Sequence, residues 1–223
     1  MLERRCFIFL ILIIFINAIL LAQEKNITVY REIKGKSVVF NKCIINSEGN
    51  GYRIEYATQI NDIVQDSMEI YTDRNYSTIE WKYISINVNI SAIRIANCIR
   101  LKGVFNNKPI DKEYHIDSSP WKQLFPYDIG KSLPIDEKEL SFWSISPKKL
   151  DITQFSIKIE SIAPIKIGDK YIESFFCRLR MKGIFSSLWN AKTWFEKDDI
   201  SFLKYEGVNG PPGTAVTIIE KIE

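Results

Sequence analysis

The 223-residue chain has a single histidine, His115, and that scarcity removes several chemistries at once. A Ser-His-Asp or Cys-His machine would have to rest on this one imidazole and a third group that orients it. Within Glu113-Tyr114-His115-Ile116-Asp117, strand alternation sets His115 opposite Tyr114 and Ile116, on the wet face. One histidine also leaves a zinc or iron site short of its usual ligands, so no metal centre is expected. Cysteine is sparse too: four residues and no Cys-x-x-Cys pair, which excludes a zinc ribbon or a dithiol redox motif. Cys43, Cys98 and Cys177 form an odd set whose pairing cannot be read from spacing, and three buried small apolar side chains are the simpler expectation. There is no excess of one charge. The 30 basic residues face 27 acidic ones, a net charge of +3, and nucleic acid drops out as a partner because it selects a clustered basic surplus.

Phosphate-binding loops are lacking as well. Gly207-Val208-Asn209-Gly210-Pro211-Pro212-Gly213 has the glycines but neither the Lys-Ser/Thr nor the following helix, and its prolines remove two N–H donors. No cofactor is expected. Asp198 and Asp199 are not a working acid–base pair, since neighbours on a strand point to opposite faces; they are read as hairpin-turn residues. No catalytic residue is assigned, and the chain is expected not to be an enzyme.

What the sequence does contain begins at its N-terminus. Met1-Leu2-Glu3-Arg4-Arg5 precedes an apolar run from Cys6 to Ala22, broken only by Asn17, and then polar Gln23-Glu24-Lys25. A short basic region, an apolar stretch and a small residue make the pattern of a secretory signal, cleaved after Ala22 or, as a second choice, Ala18. Residues 1–22 are therefore read as a signal peptide and residues 23–223 as a single β-rich domain that is periplasmic or otherwise exported. The alternative is an inner-membrane anchor through residues 7–22, because the run reaches the lower edge of a bilayer span. Loss of Glu3, Arg4 and Arg5 would leave 28 basic and 26 acidic residues.

Beyond residue 23 a period of two dominates, as half-buried antiparallel strands require. Tyr52, Ile54 and Tyr56 alternate with Arg53 and Glu55; Ile79, Trp81 and Tyr83 alternate with Glu80 and Lys82; Phe155, Ile157 and Ile159 flank Ser156 and Lys158. Turn residues lie between such runs at Glu48-Gly49-Asn50-Gly51, Asp73-Arg74-Asn75, Asn106-Asn107-Lys108-Pro109 and Gly168-Asp169-Lys170. About ten or eleven strands are expected, with connections too short for parallel crossovers. Helical signals are few: Ser118–Phe125, capped by serines and ended by Pro126, and the ambiguous Ile184–Trp189. Ile70–Ile79 resembles Thr193–Phe202, each an aromatic strand, a charged turn and a second strand, as two hairpins of one sheet would read. Trp194 is expected to be packed within that sheet.

The final third carries a more specific pattern. Gly168-Asp169-Lys170 precedes a long strand, Gly183-x-x-x-x-Leu188-Trp189 follows, and then Trp194-Phe195-Glu196-Lys197-Asp198 and Gly207-x-x-Gly210-Pro211-Pro212-Gly213-Thr214. These motifs resemble a family of uncharacterised bacterial envelope proteins, a domain of unknown function placed near the lipoprotein-carrier half-barrels of the Lol type. The resemblance implies a mainly β fold: a large curved antiparallel sheet, a half-barrel, wrapped around a few short helices with an apolar concave face. In the carriers such a face holds acyl chains. The family offers no catalytic residues to transfer.

The expected function is thus non-enzymatic binding of an apolar or amphipathic ligand, a lipid or acylated polypeptide, in the curved sheet. Trp121, Phe125, Trp143 and Trp189 are the candidate ligand-binding residues, as lining or lid. The alternative is an envelope assembly or interaction factor that binds another envelope protein and whose concavity is filled by its own side chains. Contact with a membrane is expected only through an uncleaved N-terminus.

Overall fold

The computed structural model describes residues 26–133, 135, 139–183, 189–208 and 214–222. The apolar run of residues 1–22, the Gly210–Gly213 block and the Ile184–Leu188 stretch lie outside them. Among the described residues there are fourteen strands: β1 (Asn26–Lys34), β2 (Ser37–Glu48), β3 (Gly51–Ile60), β4 (Ile63–Asp73), β5 (Thr78–Ser85), β6 (Val88–Ile95) and β7 (Cys98–Phe105). The second half of the chain supplies β8 (Lys108–His115), β9 (Leu140–Ile145), β10 (Ile152–Ile167), β11 (Lys170–Met181), β12 (Asn190–Glu196), β13 (Phe202–Val208) and β14 (Val216–Lys221).

All fourteen belong to one sheet, in the order β8-β7-β6-β5-β4-β3-β2-β1-β14-β13-β12-β11-β10-β9. The mainly β half-barrel class is therefore found. Each strand pairs antiparallel with its neighbour in the sheet, and β1 pairs with β14, Tyr30 opposite Lys221 and Lys34 opposite Thr217. The first and last strands thus meet in the middle of the sheet. Its two edges, β8 and β9, are consecutive in sequence, and residues 116–139 connect them.

This topology sorts the turns into two rims. One rim carries the β1–β2, β3–β4, β5–β6 and β7–β8 turns side by side. The opposite rim carries the β2–β3, β4–β5 and β6–β7 turns, the β12–β13 turn and both ends of the edge connection. Left-handed backbone at Asn61, Asp62, Asn106 and Asn107 closes tight hairpins on the first rim, where asparagine and aspartate are the tolerated side chains. The two hairpins paired by internal similarity, β4–β5 and β12–β13, both turn on the second rim, so that likeness is architectural.

Two expectations need correction. The strand count is fourteen rather than ten or eleven, because β1 and β2 put polar Glu32 and Asn41 on the inner face and so hide the alternation. The short helix expected over Ser118–Phe125 is absent. Trp121 instead makes a parallel bridge to Trp143, and the helical turn described in this connection is a 3-10 turn at Gly130–Ser132. The reason is backbone pairing: Trp143 N–H donates to Pro120 O at 2.8 Å, Lys122 N–H to Trp143 O at 2.8 Å, and Thr78 N–H to Trp121 O at 2.7 Å. Strand neighbours satisfy those groups, so a helical ladder would gain nothing.

Candidate functional site

The concave face is the natural place for a site, and the edge connection occupies it. Trp121, Lys122, Gln123, Leu124, Asp128 and Ile129 are all at most 5% exposed. Burial here follows from composition, since Pro120-Trp121-Lys122-Gln123-Leu124-Phe125-Pro126-Tyr127 is rich in large apolar groups. The connection is a plug.

Gln123 fastens it. Its side-chain carbonyl accepts from Trp121 Nε1 at 2.8 Å and from the Ile145 amide at 3.2 Å, while its Nε2 donates to Ile145 O at 2.7 Å. Its own amide donates to Thr78 Oγ1 at 3.0 Å. A buried amide with its groups paired on β5 and β9 fixes one position of the plug against both strands. Deeper in, the Tyr127 ring meets Tyr30 at 4.7 Å and Phe202 at 5.0 Å. Its hydroxyl accepts from Asn41 Nδ2 at 3.2 Å and shares a hydrogen bond with Tyr56 at 3.3 Å. Gly130 lies so close to the β12–β13 turn that a Cβ there would fall 2.0 Å from Ile200 O.

The four candidate residues are not one surface. Trp121 is fully buried, edge-on to Trp81 at 6.5 Å. Phe125 and Trp189 do come together, each against Phe155, at 5.1 and 5.4 Å. Trp189 also donates its indole N–H to Val208 O at 2.6 Å. Trp143 follows inward-facing Phe142 on β9 and so points the other way, its indole N–H donating to Asp117 Oδ1 at 2.8 Å. Asp117 also accepts from Gln154 Nε2 at 3.0 Å, and these hydrogen bonds, with those from Ser119, hold its carboxyl down at about 2. Asp117 therefore helps to stitch the seam between the two sheet edges.

A polar cluster that sequence reading missed sits at the second rim, beside a cleft of about 660 Å³ lined by Asp73, Ser77, Arg94, Lys122, Lys131 and Ser132 among others. The Lys122 ammonium donates to Asn75 O at 2.7 Å and to Ser132 Oγ at 2.6 Å, and Ser132 Oγ donates to Asn75 O at 2.6 Å. Burial pushes Lys122 down to about 8 against the pull of Asp128 and Asp73. Burial likewise pushes Asp128 up to about 6, opposed by Lys122 and by the Leu124 amide on its Oδ2 at 3.2 Å. A lysine of depressed basicity beside a serine hydroxyl in a cleft is a chemical candidate. Here, however, the Ser132 and Leu133 amides are spent on Ile129 O and Gly130 O, and the hydroxyl proton on Asn75 O. The cluster is a tie between the β4–β5 turn and the plug. The available signal was a lone lysine inside an aromatic, proline-flanked stretch.

His115 is exposed, as alternation requires, facing Cys98 across β7–β8 with Glu113 beside it. One ligand atom from each of the three lies within 4.8 Å of the others, so the group could hold a metal ion, although Glu113 is already paired with Arg100 at 3.0 Å. Cys43 and Cys177 are buried, Cys98 is half-buried, and all three are free thiols. Asp198 and Asp199 lie in the β12–β13 turn, where Asp199 Oδ1 accepts from the Ser201 amide at 2.8 Å.

No protein-family model matches the sequence, and no curated protein is similar to it. Among solved structures the chain resembles a β-barrel-like protein of the domain of unknown function DUF1849 from Brucella abortus. The TM-score is 0.58 and the identity 7%, over 88% of this chain and 95% of that one. Weaker likenesses join it to the hypothetical lipoprotein YmcC from Escherichia coli and to a DUF1329 family protein from Desulfovibrio piger. For YmcC the TM-score is 0.41 at 8% identity, over 90% and 89% of the two chains. For the DUF1329 protein it is 0.31 at 9% identity, over 90% and 85%. The first match shows the fold: the two chains share a β-barrel-like architecture.

Proposed function

We propose that this is an exported, non-enzymatic protein of the cell envelope that acts through its surface, its concavity being filled by its own chain. The observation that carries this reading is the plug: Trp121 and Lys122 have no exposure, and Gln123 bonds β5 and β9 together from within. The basic start and apolar run of residues 1–22 support export. This is the assembly or interaction reading, and it outranks carriage of an acyl chain in the concavity.

A second reading has its own support. On the inner face Met68, Val88, Phe105 and Ile110 are only partly buried where they pack against the core. An acyl chain, lipid or lipoprotein-borne, laid on that stretch would be an amphipathic ligand of the kind the half-barrel resemblance implies. Organic extraction of the purified protein followed by mass spectrometry separates the two readings. No stoichiometric lipid is expected, and a fluorescent fatty acid should show no saturable binding below about a millimolar, where binding is worth only about 4 kcal/mol. Co-purifying lipid at one per chain would reverse the order of the readings.

A further inference from the structure

The first rim has a chemistry that its turns do not explain. At the β3–β4 tip Ile60, Ile63 and Val64 are 39%, 65% and 53% exposed; at the β5–β6 tip Ile84 and Ile86 are 53% and 93% exposed; beside the β7–β8 tip Val104 is 41% exposed. Ile86 stands in a two-residue turn, a place that favours Asn, Asp or Gly, and its side chain gains no burial there. These tips are neighbours, since their strands follow one another in the sheet order. Strand spacing puts successive tips about 10 Å apart. They form a line, not scattered single residues.

Charge on this rim complements the apolar line. Lys34 and Lys36 flank Gly35 at the β1–β2 turn, Lys108 stands at the β7–β8 turn, and Lys148 and Lys149 lie in the β9–β10 turn on the same rim, all at least partly exposed. None of the five is in an ion pair among the described residues, although Lys148 feels the Asp66 carboxyl. The exposed acids among these turns are Asp62 and Asp151. The opposite rim mixes the two signs, with Glu48, Asp73, Asp117, Asp169, Asp198 and Asp199 beside exposed Arg74, Lys131, Lys170 and Lys197. The first rim is thus the more basic of the two, with exposed isoleucines at its tips.

We infer that the first rim docks on an anionic phospholipid bilayer, the Ile63 and Ile86 tips entering the interface and Lys34, Lys36 and Lys108 meeting the phosphates. Apolar side chains projecting from a basic surface combine the two contributions that hold a protein on such a membrane, buried apolar area and attraction to anionic headgroups. An acidic protein partner would match the lysines but would leave a convex row of isoleucine tips to be covered. The inference deepens the surface-acting reading and rests on it.

The test is co-sedimentation of the protein, as isolated and with its N-terminal residue identified by mass, with phosphatidylglycerol-containing and pure phosphatidylcholine vesicles. An N-terminal run still attached would hold wild type and variants alike to both lipids, so the comparison between compositions and variants carries the result. Wild type is expected to partition on the order of tenfold better onto the anionic vesicles and to be released by salt. The Ile63→Asp/Ile86→Asp double variant should lose roughly tenfold of that binding with unchanged melting, both positions being exposed. Lys34→Glu/Lys36→Glu should weaken binding and flatten its salt dependence. As a folded reporter, Ile86→Trp should shift its emission to the blue on vesicles and be quenched by brominated acyl chains. Binding indifferent to lipid charge and to the aspartate variants, or an Ile86→Trp emission unmoved by vesicles, overturns the docking. So does capture of a protein through this rim while vesicles stay unbound. Absence of docking with no co-purifying lipid removes this inference and leaves the filled-core reading standing.

Discussion

Trp121→Ala is expected to remove about 3–5 kcal/mol of stability and to lower the melting temperature by on the order of 10 °C for a domain of this size. The indole is fully buried, packs edge-on to Trp81 at 6.5 Å, and gives its N–H to Gln123 Oε1 at 2.8 Å. Truncation therefore opens a cavity under the sheet and disturbs the amide that joins β5 to β9. A tryptophan that served as a movable lid would behave differently, its loss costing less than about 1 kcal/mol, in the range of exposed substitutions. Urea denaturation of the variant and wild type distinguishes the two, provided the dependence on denaturant is unchanged.

The second large effect is a pH dependence. The folded Asp128 carboxyl titrates at about 6, above its ordinary 3.8, because burial disfavours its charge. Between those values the folded protein binds the proton more strongly than the unfolded chain does. The carboxyl's favourable contribution is therefore complete below the lower value and is lost as pH rises through about 6, a change of about 3 kcal/mol. Lys122 runs the other way. Its folded value of about 8 lies below 10.5, so the unfolded chain holds the extra proton and stability rises with pH between the two. The pair weighs most heavily against the fold between them, near neutrality. Asp128→Asn keeps an acceptor for the Leu124 amide and cancels the carboxyl's arm. The stability of the variant relative to wild type should accordingly grow by about 2 kcal/mol from pH 4 to pH 7. A difference that stays constant across that interval would contradict a buried carboxyl at this place.

Much of this architecture was legible in the sequence, because alternation and turn chemistry are local. Tyr52 to Tyr56 and Trp81 to Tyr83 fall on the face that their period assigns, and the asparagine-rich turns close the hairpins expected of them. What alternation could not supply was parity across an irregularity. The register shift between Trp194 and Phe195 leaves Phe202 and Tyr205 both buried, although strict alternation from Ile200 sets them on opposite faces. The same ambiguity misplaced Trp194, which is half-buried beside Phe176 at 5.3 Å, with Lys204 over its ring at 5.7 Å. Its neighbour Phe195 is the core residue. With two aromatic side chains in sequence, composition does not say which one faces inward.

The candidate site was legible only as a collection of aromatics. Trp121 and Phe125 were marked by size and by the proline-flanked stretch they share, but local pattern gave that stretch a helix. Only the topology, with edges β8 and β9 consecutive in the chain, sends residues 116–133 across the concave face. Lys122 and Asp128 carry no periodic signal at all. Their burial is a tertiary outcome, set by contacts with a turn 47 residues away in sequence.

Hydrogen exchange across the plug tests the central claim most directly. The Lys122 amide donates to Trp143 O and the Gln123 amide to Thr78 Oγ1, so both close only when the connection is seated on β5 and β9. They are expected to exchange as slowly as the amides of β10 and β11, through global unfolding alone, and to share their denaturant dependence. Exchange of the Lys122 and Gln123 amides orders of magnitude faster, through local openings that leave β10 and β11 protected, would show a displaceable lid and contradict the filled half-barrel.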